Sequence, residues 1–339
     1  MIRLAKALDE QDMIGFTRSF AEDLQVGRES VNRELLPWIT EIDKGWTGVL
    51  FLGMGGSAAG GDFVSALSDI EGSIPIRCNR GYDLPNWWTS DWLVVATSYS
   101  GNTEETLSAC EQAMNQEATV IVISSGGMLS GMCELSETMY LISCPGGQPP
   151  RSAFGHIFSR QLSLMVEIGI LQCEITNSMI ERLQEAIEDS DIIKHPEGDV
   201  ASLALNLMEN PIAILGPEEL SPAINRFKNQ LNENAARFAR TGVFPEMNHN
   251  ESVAWGGFGN DQDPESPNQA LILLSWDGMH PRVVQRMDWF VSNCPTEMTW
   301  SVHGDGESLL ESLMHLCIMT DWLSIALALL HGKDPSAIE

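Results

Sequence analysis

Basic residues are scarce. Nineteen lysines and arginines stand against 47 aspartates and glutamates, for a formal charge of −28. So few cations cannot provide the footprint that neutralises phosphates along nucleic acid or at an anionic bilayer, which excludes both as natural partners. The same shortage constrains any anion site, because phosphate must then be held by local donors such as helix N-termini and hydroxyls. Paired cysteines are missing too. Cys78, Cys110, Cys133, Cys144, Cys173, Cys294 and Cys317 are scattered, with no C-x-x-C pair and no histidine at ligand spacing, so neither a zinc site nor a disulfide framework is indicated. No metal and no cofactor is expected. The apolar stretches near Leu162 to Leu171 and Leu316 to Leu330 are broken by Glu167 and Asp321, and they read as buried helices, not membrane spans. The N-terminus reaches Asp9 and Glu10 before a signal-peptide core forms, which points to the cytoplasm.

What is present suits a folded enzyme. Apolar residues make up 43% of 339, charged residues 19%, and the length is enough for two hydrophobic cores. After some forty amphipathic, helical residues, short apolar runs at Val49–Leu52, Ile74–Ile76, Trp92–Ala96, Thr119–Ile123 and Met139–Ile142 alternate with helical or loop segments, the signature of a parallel α/β sheet. A helix from Ala153 to about Leu171 and an acidic stretch from Glu174 to Asp199 follow. The second half repeats the pattern, with strands at Ile212–Leu215, Ala270–Trp276 and Thr296–Val302 and helices at Glu219–Arg240, His280–Asn293 and Ser308–Leu330. Two tandem α/β domains are expected, each a parallel sheet flanked by helices: residues 1–175 with the leading helices, and 176–339 with the C-terminal helix.

Two turns carry chemistry. Gly53-x-Gly55-x-x-Ala58 follows a strand and opens a helix, a loose dinucleotide fingerprint; the next strand ends Arg77-Cys78-Asn79-Arg80, without the acidic ribose ligand, which leaves an NADP enzyme as a rival reading. In the second turn, Ser98, Ser100, Thr103 and Thr97 crowd a helix start. A capping box of Asn102 and Glu105 explains part of it without any ligand. It does not explain Ser98, Ser100 and Thr103 together, and neutral hydroxyls with free N–H groups bind a phosphate dianion without lysine.

Further on, Leu220, Ile224, Phe227, Leu231, Ala235 and Phe238 form one helical stripe. Glu233 faces away, among Asn225, Arg226, Asn229, Asn232 and Arg237, and such a face is usually just solvated. Four asparagines in ten residues are nevertheless poor helix formers, so something other than propensity keeps them. The loop Phe244 to Glu251 sets His249 among hydrogen-bonding side chains.

Gly53-Met54-Gly55-Gly56-Ser57, Ser98-Tyr99-Ser100-Gly101-Asn102-Thr103-Glu104-Glu105-Thr106, Ser124-Ser125-Gly126-Gly127 and Pro145 to Ala153 resemble, in order and spacing, the phosphosugar-binding segments of sugar isomerase (SIS) domains. Lys228 to Ala235, Pro245 to Glu251 and Trp255 are similar to the second signature of the phosphoglucose/phosphomannose isomerase branch. The resemblance runs from about residue 45 to 335. It implies an aldose–ketose isomerase that acts on glucose 6-phosphate or mannose 6-phosphate and passes through a cis-enediol. A sugar-phosphate-binding regulatory protein without catalysis is the alternative. It implies Gly56, Ser57, Ser98, Ser100 and Thr103 as substrate ligands, Arg151 as the active-site arginine, Glu233 as the base and His249 as the ring-opening residue. It further implies one active site between the domains and a homodimer in which the partner lends His249. The family usually continues past its Asp-Pro signature into a tail that supplies a threonine and a lysine. Here Asp334-Pro335-Ser336-Ala337-Ile338-Glu339 holds neither, which leads us to expect weak activity, with Lys228 and Lys333 the first substitutes to test.

Overall fold

The computed structural model describes residues 1–42, 44–259, 261–294, 296 and 298–337. Glu297, inside one expected strand, and residues 338–339, at the end of the tail discussed above, lie outside the described residues. By contacts the chain divides into two units, residues 19–180 and residues 1–18 with 181–339. The division expected from sequence, after residue 175, differs chiefly in the leading helices α1 (Ile2–Leu8) and α2 (Met13–Arg18), which pack with the C-terminal segment. The Arg18 guanidinium donates to buried Asp191 at 2.8 Å, which helps to hold them there.

In the 19–180 unit, α3 (Phe20–Glu29) and α4 (Trp38–Ile42) precede β1 (Gly48–Leu52). Then come α5 (Gly55–Glu71), β2 (Ile76–Asn79), β3 (Trp92–Thr97), α6 (Glu104–Asn115), β4 (Val120–Ser124), α7 (Gly127–Cys133), β5 (Met139–Ser143) and α8 (Phe154–Glu167). The strands lie in the order β2-β1-β3-β4-β5, all parallel. β1 and β4 are buried at every position and β3 at all but its first, as a sheet covered on both faces requires. This is why they read as unbroken apolar runs. Strand order reverses between β1 and β3, and in open α/β sheets the crevice beyond the strand ends at such a point is where ligands bind. The two turns singled out above leave those two strands.

α9 (Asn177–Ser190) leads into the second unit: α10 (Asp199–Leu207), β6 (Ile212–Pro217), α11 (Ser221–Ala235), β7 (Ala239–Phe244), α12 (Glu251–Ala254), β8 (Ala270–Trp276), α13 (Pro281–Asn293), β9 (Thr299–Gly304) and α14 (Leu309–Leu330). Its sheet runs β7-β6-β8-β9, again all parallel. α14 is long and apolar enough to cross a membrane by length and composition, but 83% of its apolar window is buried in the protein, as in a core helix. It packs on α11, α10 and β9.

One expected helix is corrected. The stripe suggested Glu219 to Arg240, but the helix stops at Ala235, and Ala236 adopts a left-handed conformation (φ 50°). Arg237 then anchors outward, one guanidinium nitrogen donating to the Asn210 carbonyl at 2.6 Å, and the chain enters β7. Leu220, Ile224, Phe227, Leu231 and Ala235 are buried as expected, whereas Phe238, counted in the same stripe, is 94% exposed because the helix ends before it.

Candidate active site

The phosphate-cradle candidates converge at the β1/β3 reversal. Ser57 is the third residue of α5, 6% exposed, and its hydroxyl accepts the Tyr99 N–H at 3.1 Å. That leaves the Ser57 proton for a ligand. No acidic residue lies in the first turn of α5, whereas Glu104 and Glu105 occupy that of α6. The positive end of α5 is therefore the better anion seat of the two. Ser98 is fully buried; its hydroxyl lies 2.8 Å from that of Thr103 and accepts the Thr103 N–H at 3.4 Å. Ser100 is exposed and its hydroxyl accepts the Asn102 N–H at 3.3 Å.

The capping-box alternative is not what forms. The cap position of α6 is Thr103, while the Asn102 side chain turns to the next loop, where its carbonyl accepts the Met128 N–H at 3.1 Å. Arg80, the possible 2′-phosphate reader, is paired with Asp62 of α5.

Arg151 stands just before α8 and, at 3% exposed, is a buried cation and not one of the surface charges that arginines commonly are. A methyl group on Gly56 would lie 2.9 Å from the Pro150 carbonyl oxygen and 3.1 Å from Arg151 Cα, so glycine is what lets the start of α5 and the arginine loop touch. Beneath them runs a buried polar chain. Gln148 donates its side-chain amide to Asp23 at 3.2 Å, and Asp23 lies 3.2 Å from His156 Nε2. Burial pushes the Asp23 carboxyl up to about 6, and burial with the nearby Arg160 charge pushes His156 down to about 4.

Glu233 sits half-buried in the last turns of α11. It lines a cleft of about 580 Å³ with Asn232, Asn234, Ala236, Lys333, Asp334 and Ala337. The solvated-face reading holds for Asn225 and Asn232, both exposed, and fails for Arg226, which is buried, as are Gln230 and Asn234 on the same helix. Arg226 donates both terminal nitrogens to Asp321 at 2.6 and 2.9 Å, Gln230 donates to the same carboxylate at 2.6 Å, and Asn234 donates to Ser324 at 2.9 Å. These bonds to α14 explain at least one of the puzzling asparagines. Lys333 follows Gly332, whose left-handed conformation (φ 72°) ends α14, and its N–H bonds the Ala328 carbonyl at 2.9 Å. Ser336, the hydroxyl that follows Pro335, is 3% exposed and donates to Asp334 at 2.6 Å.

His249 ends the 3₁₀ turn Glu246–His249, exposed, and is not among the residues lining the Glu233 cleft. Its motif neighbours are structural: Glu251 pairs with Arg240 at 2.6 Å, and Trp255 is buried beneath that arginine. Lys228 is half-buried and also outside the cleft lining. Among the described residues no group of three or more His, Cys, Asp or Glu side chains is placed to hold a metal.

Sequence reasoning missed two features here. Tyr99 stands among the serines of the second turn without any mark of its role, yet it bonds to three other loops. The four-residue spacing of Arg226, Gln230 and Asn234 was visible, and with Asp321 and Ser324 three apart it could have suggested a helix–helix ladder.

Comparison with known proteins bears on these residues. A family model described as the bacterial phospho-glucose isomerase C-terminal SIS domain matches residues 197–339. The chain is 32% identical over 313 residues to the bifunctional phosphoglucose/phosphomannose isomerase of Caldicellulosiruptor bescii, covering 88% of this chain and 87% of that one. It is 31% identical over 318 residues to the protein of that name from Aquifex aeolicus, covering 92% and 91%. Among solved structures, tagatose-6-phosphate ketose/aldose isomerase from Escherichia coli superposes with a TM-score of 0.70 over 97% of this chain and 94% of that one, at 15% identity, a likeness of fold.

Proposed function

Since the chain belongs to the bifunctional phosphoglucose/phosphomannose isomerase family, and is accordingly an aldose–ketose isomerase, we propose that it interconverts glucose 6-phosphate or mannose 6-phosphate with fructose 6-phosphate. The phosphate rests on Ser57, Ser100 and Thr103 at the positive end of α5, with Ser98 orienting Thr103 and Gly56 leaving room for the chain beside it. His249 protonates and deprotonates ring oxygens to open the sugar, the acid–base work that imidazole most often does in enzymes. The Glu233 carboxylate then removes the proton from C2, the electron pair moves to the C1 carbonyl, and a cis-enediol forms. The same carboxylate returns the proton to C1 as the C2 oxygen becomes the carbonyl, the C2 hydroxyl proton having passed to the C1 oxygen. Arg151 stabilises the negative charge that develops on the enediol oxygens, and Lys333 adds a cation to the Glu233 cleft.

The observation that carries this reading is the cleft at Glu233, a carboxylate with a lysine and two asparagines around a space of sugar size. Two finer points belong to the same proposal. His249 acts across a homodimer, which its exposure and its absence from the Glu233 cleft support. The enzyme works in the cytoplasm, in keeping with seven unpaired cysteines.

The test is a coupled assay on both hexose 6-phosphates with the parent and Glu233→Gln. The variant should bind fructose 6-phosphate nearly as well and turn over roughly a hundred- to ten-thousandfold more slowly, with deuterium from heavy water no longer entering C2. A glutamine variant that keeps most of its activity would return Glu233 to the solvated face.

A further inference from the structure

Four loops close the C-terminal edge of the first sheet, and one residue of the second bonds to the other three, twice through its backbone and once through its side chain. Tyr99, 6% exposed, lies in the second serine turn. Its N–H donates to Ser57 of the first turn at 3.1 Å. Its carbonyl accepts the Ser125 N–H at 3.0 Å and the Ser125 hydroxyl at 2.6 Å from the third. Its phenolic oxygen accepts the Gln148 N–H from the fourth at 3.2 Å. The two backbone links are open to any residue, but the phenol link requires tyrosine.

From Gln148 the geometry leads directly to Arg151. Gln148 is held at its N–H by Tyr99 and at its side chain by Asp23. Pro149 and Pro150 follow with fixed φ, and the Ser152 and Ala153 N–H groups both bond the Pro149 carbonyl, at 3.0 and 3.2 Å. Few soft dihedrals separate the phenol from the arginine, and Gly56 bears on the same segment from the other side. We infer that Tyr99 is a positioning residue for the isomerisation: its hydroxyl sets Arg151 relative to the serine turns through Gln148 and the two prolines. This rests on the reading that Arg151 acts on the reacting sugar. The phosphate turns keep their backbone links without the hydroxyl, so the loss falls on turnover and not on substrate binding.

The experiment uses the full chain with Tyr99→Phe, Arg151→Ala and the double variant, measuring kcat and KM for fructose 6-phosphate and the thermal midpoint. Tyr99→Phe, which keeps the ring and its packing, should lower kcat by about ten- to a hundredfold, the scale of a displaced catalytic group. KM should stay within about threefold and the midpoint within a few degrees. In the Arg151→Ala background the same change should lower kcat no further, because the group that it positions is gone. Multiplying losses would overturn the proposal, as would a Tyr99→Phe enzyme with parental kcat while Arg151→Ala is impaired. A fall in kcat accompanied by a large drop in midpoint and an equal rise in KM would reduce Tyr99 to a structural residue. Parental kcat in Arg151→Ala would remove the site reading and this proposal with it.

Discussion

The Asp23–His156 pair beneath the arginine loop makes a prediction about pH that can be worked through by counting protons. The two side chains are 7% and 8% exposed and 3.2 Å apart. With Asp23 raised to about 6 and His156 lowered to about 4, the folded pair holds one proton between those limits, whichever group carries it. In the unfolded chain, ordinary values of 3.8 and 6.5 also leave one proton on the two groups across that range. Equal counts mean that the pair adds almost no slope to stability against pH. Single substitutions separate the halves. Asp23→Asn leaves a histidine with a lowered folded pKa, so the unfolded state binds more protons from about pH 4 to 6.5; stability then rises with pH across that window and is lost as pH falls through it. The gap between 6.5 and about 4 corresponds to about 3 kcal/mol. His156→Phe leaves a carboxyl with a raised folded pKa, so the folded state binds more protons between 3.8 and about 6, and stability falls by about 3 kcal/mol as pH rises. Urea unfolding from pH 4 to 7, read by amide hydrogen exchange in β1 and β3, reports the 19–180 unit alone, and subtracting the parent cancels other titrating groups. Opposite slopes are expected for the two variants. Parallel or flat difference curves would refute the reasoning.

Other outcomes follow from the same geometry. Ser100→Asp should weaken fructose 6-phosphate binding by several kcal/mol, through lost charge-assisted hydrogen bonds and an added repulsion; unchanged binding by calorimetry would move the phosphate elsewhere. Asp321→Leu strands the buried Arg226 guanidinium and should cost about 3–5 kcal/mol in denaturant unfolding, most of it regained when Arg226→Met is added. Lys333→Met should lower kcat by at least roughly tenfold, with Lys333→Arg recovering part of it; parental kinetics would show that the cleft does not use this cation.

Much of the first sheet was legible because a doubly covered parallel strand has to be apolar along its whole length, as at Val120–Ile123 and Leu93–Ala96. β7 was not, since Arg240, Thr241 and Gly242 carry little apolar signal and the helical stripe seemed to continue through Phe238. No glycine marks the end of α11; an alanine takes the left-handed turn, which sequence gives no reason to expect. The serine turn could be read because its hydroxyls are adjacent. Tyr99 could not, because its partners lie 42, 26 and 49 residues away and only the fold brings them together. Arg226 was assigned to a solvated face for the same reason: its counter-ion is 95 residues distant. The leading helices carried no mark of the unit they join.

The Arg226–Asp321 pair also answers a question that burial alone leaves open. α14 is apolar around nearly its whole circumference, and such a helix has no preferred face, since hydrophobic contact is non-directional. Packed on the stripe of α11 it could slide or rotate at little cost. Three polar links, at Arg226, Gln230 and Asn234 on one side and Asp321 and Ser324 on the other, are compatible with one register only, because a one-residue shift turns each group by about 100°. Buried ion pairs contribute little net stability against a hydrophobic replacement, and fixing register is their best-attested use. The consequence here is local and chemical. Asn234 of the ladder and its neighbour Glu233 line the cleft from α11, while Lys333 enters it from the turn that ends α14. A carboxylate on α11 and a cation in the turn after α14, a hundred residues later in sequence, face the same space because the ladder between the two helices allows a single alignment.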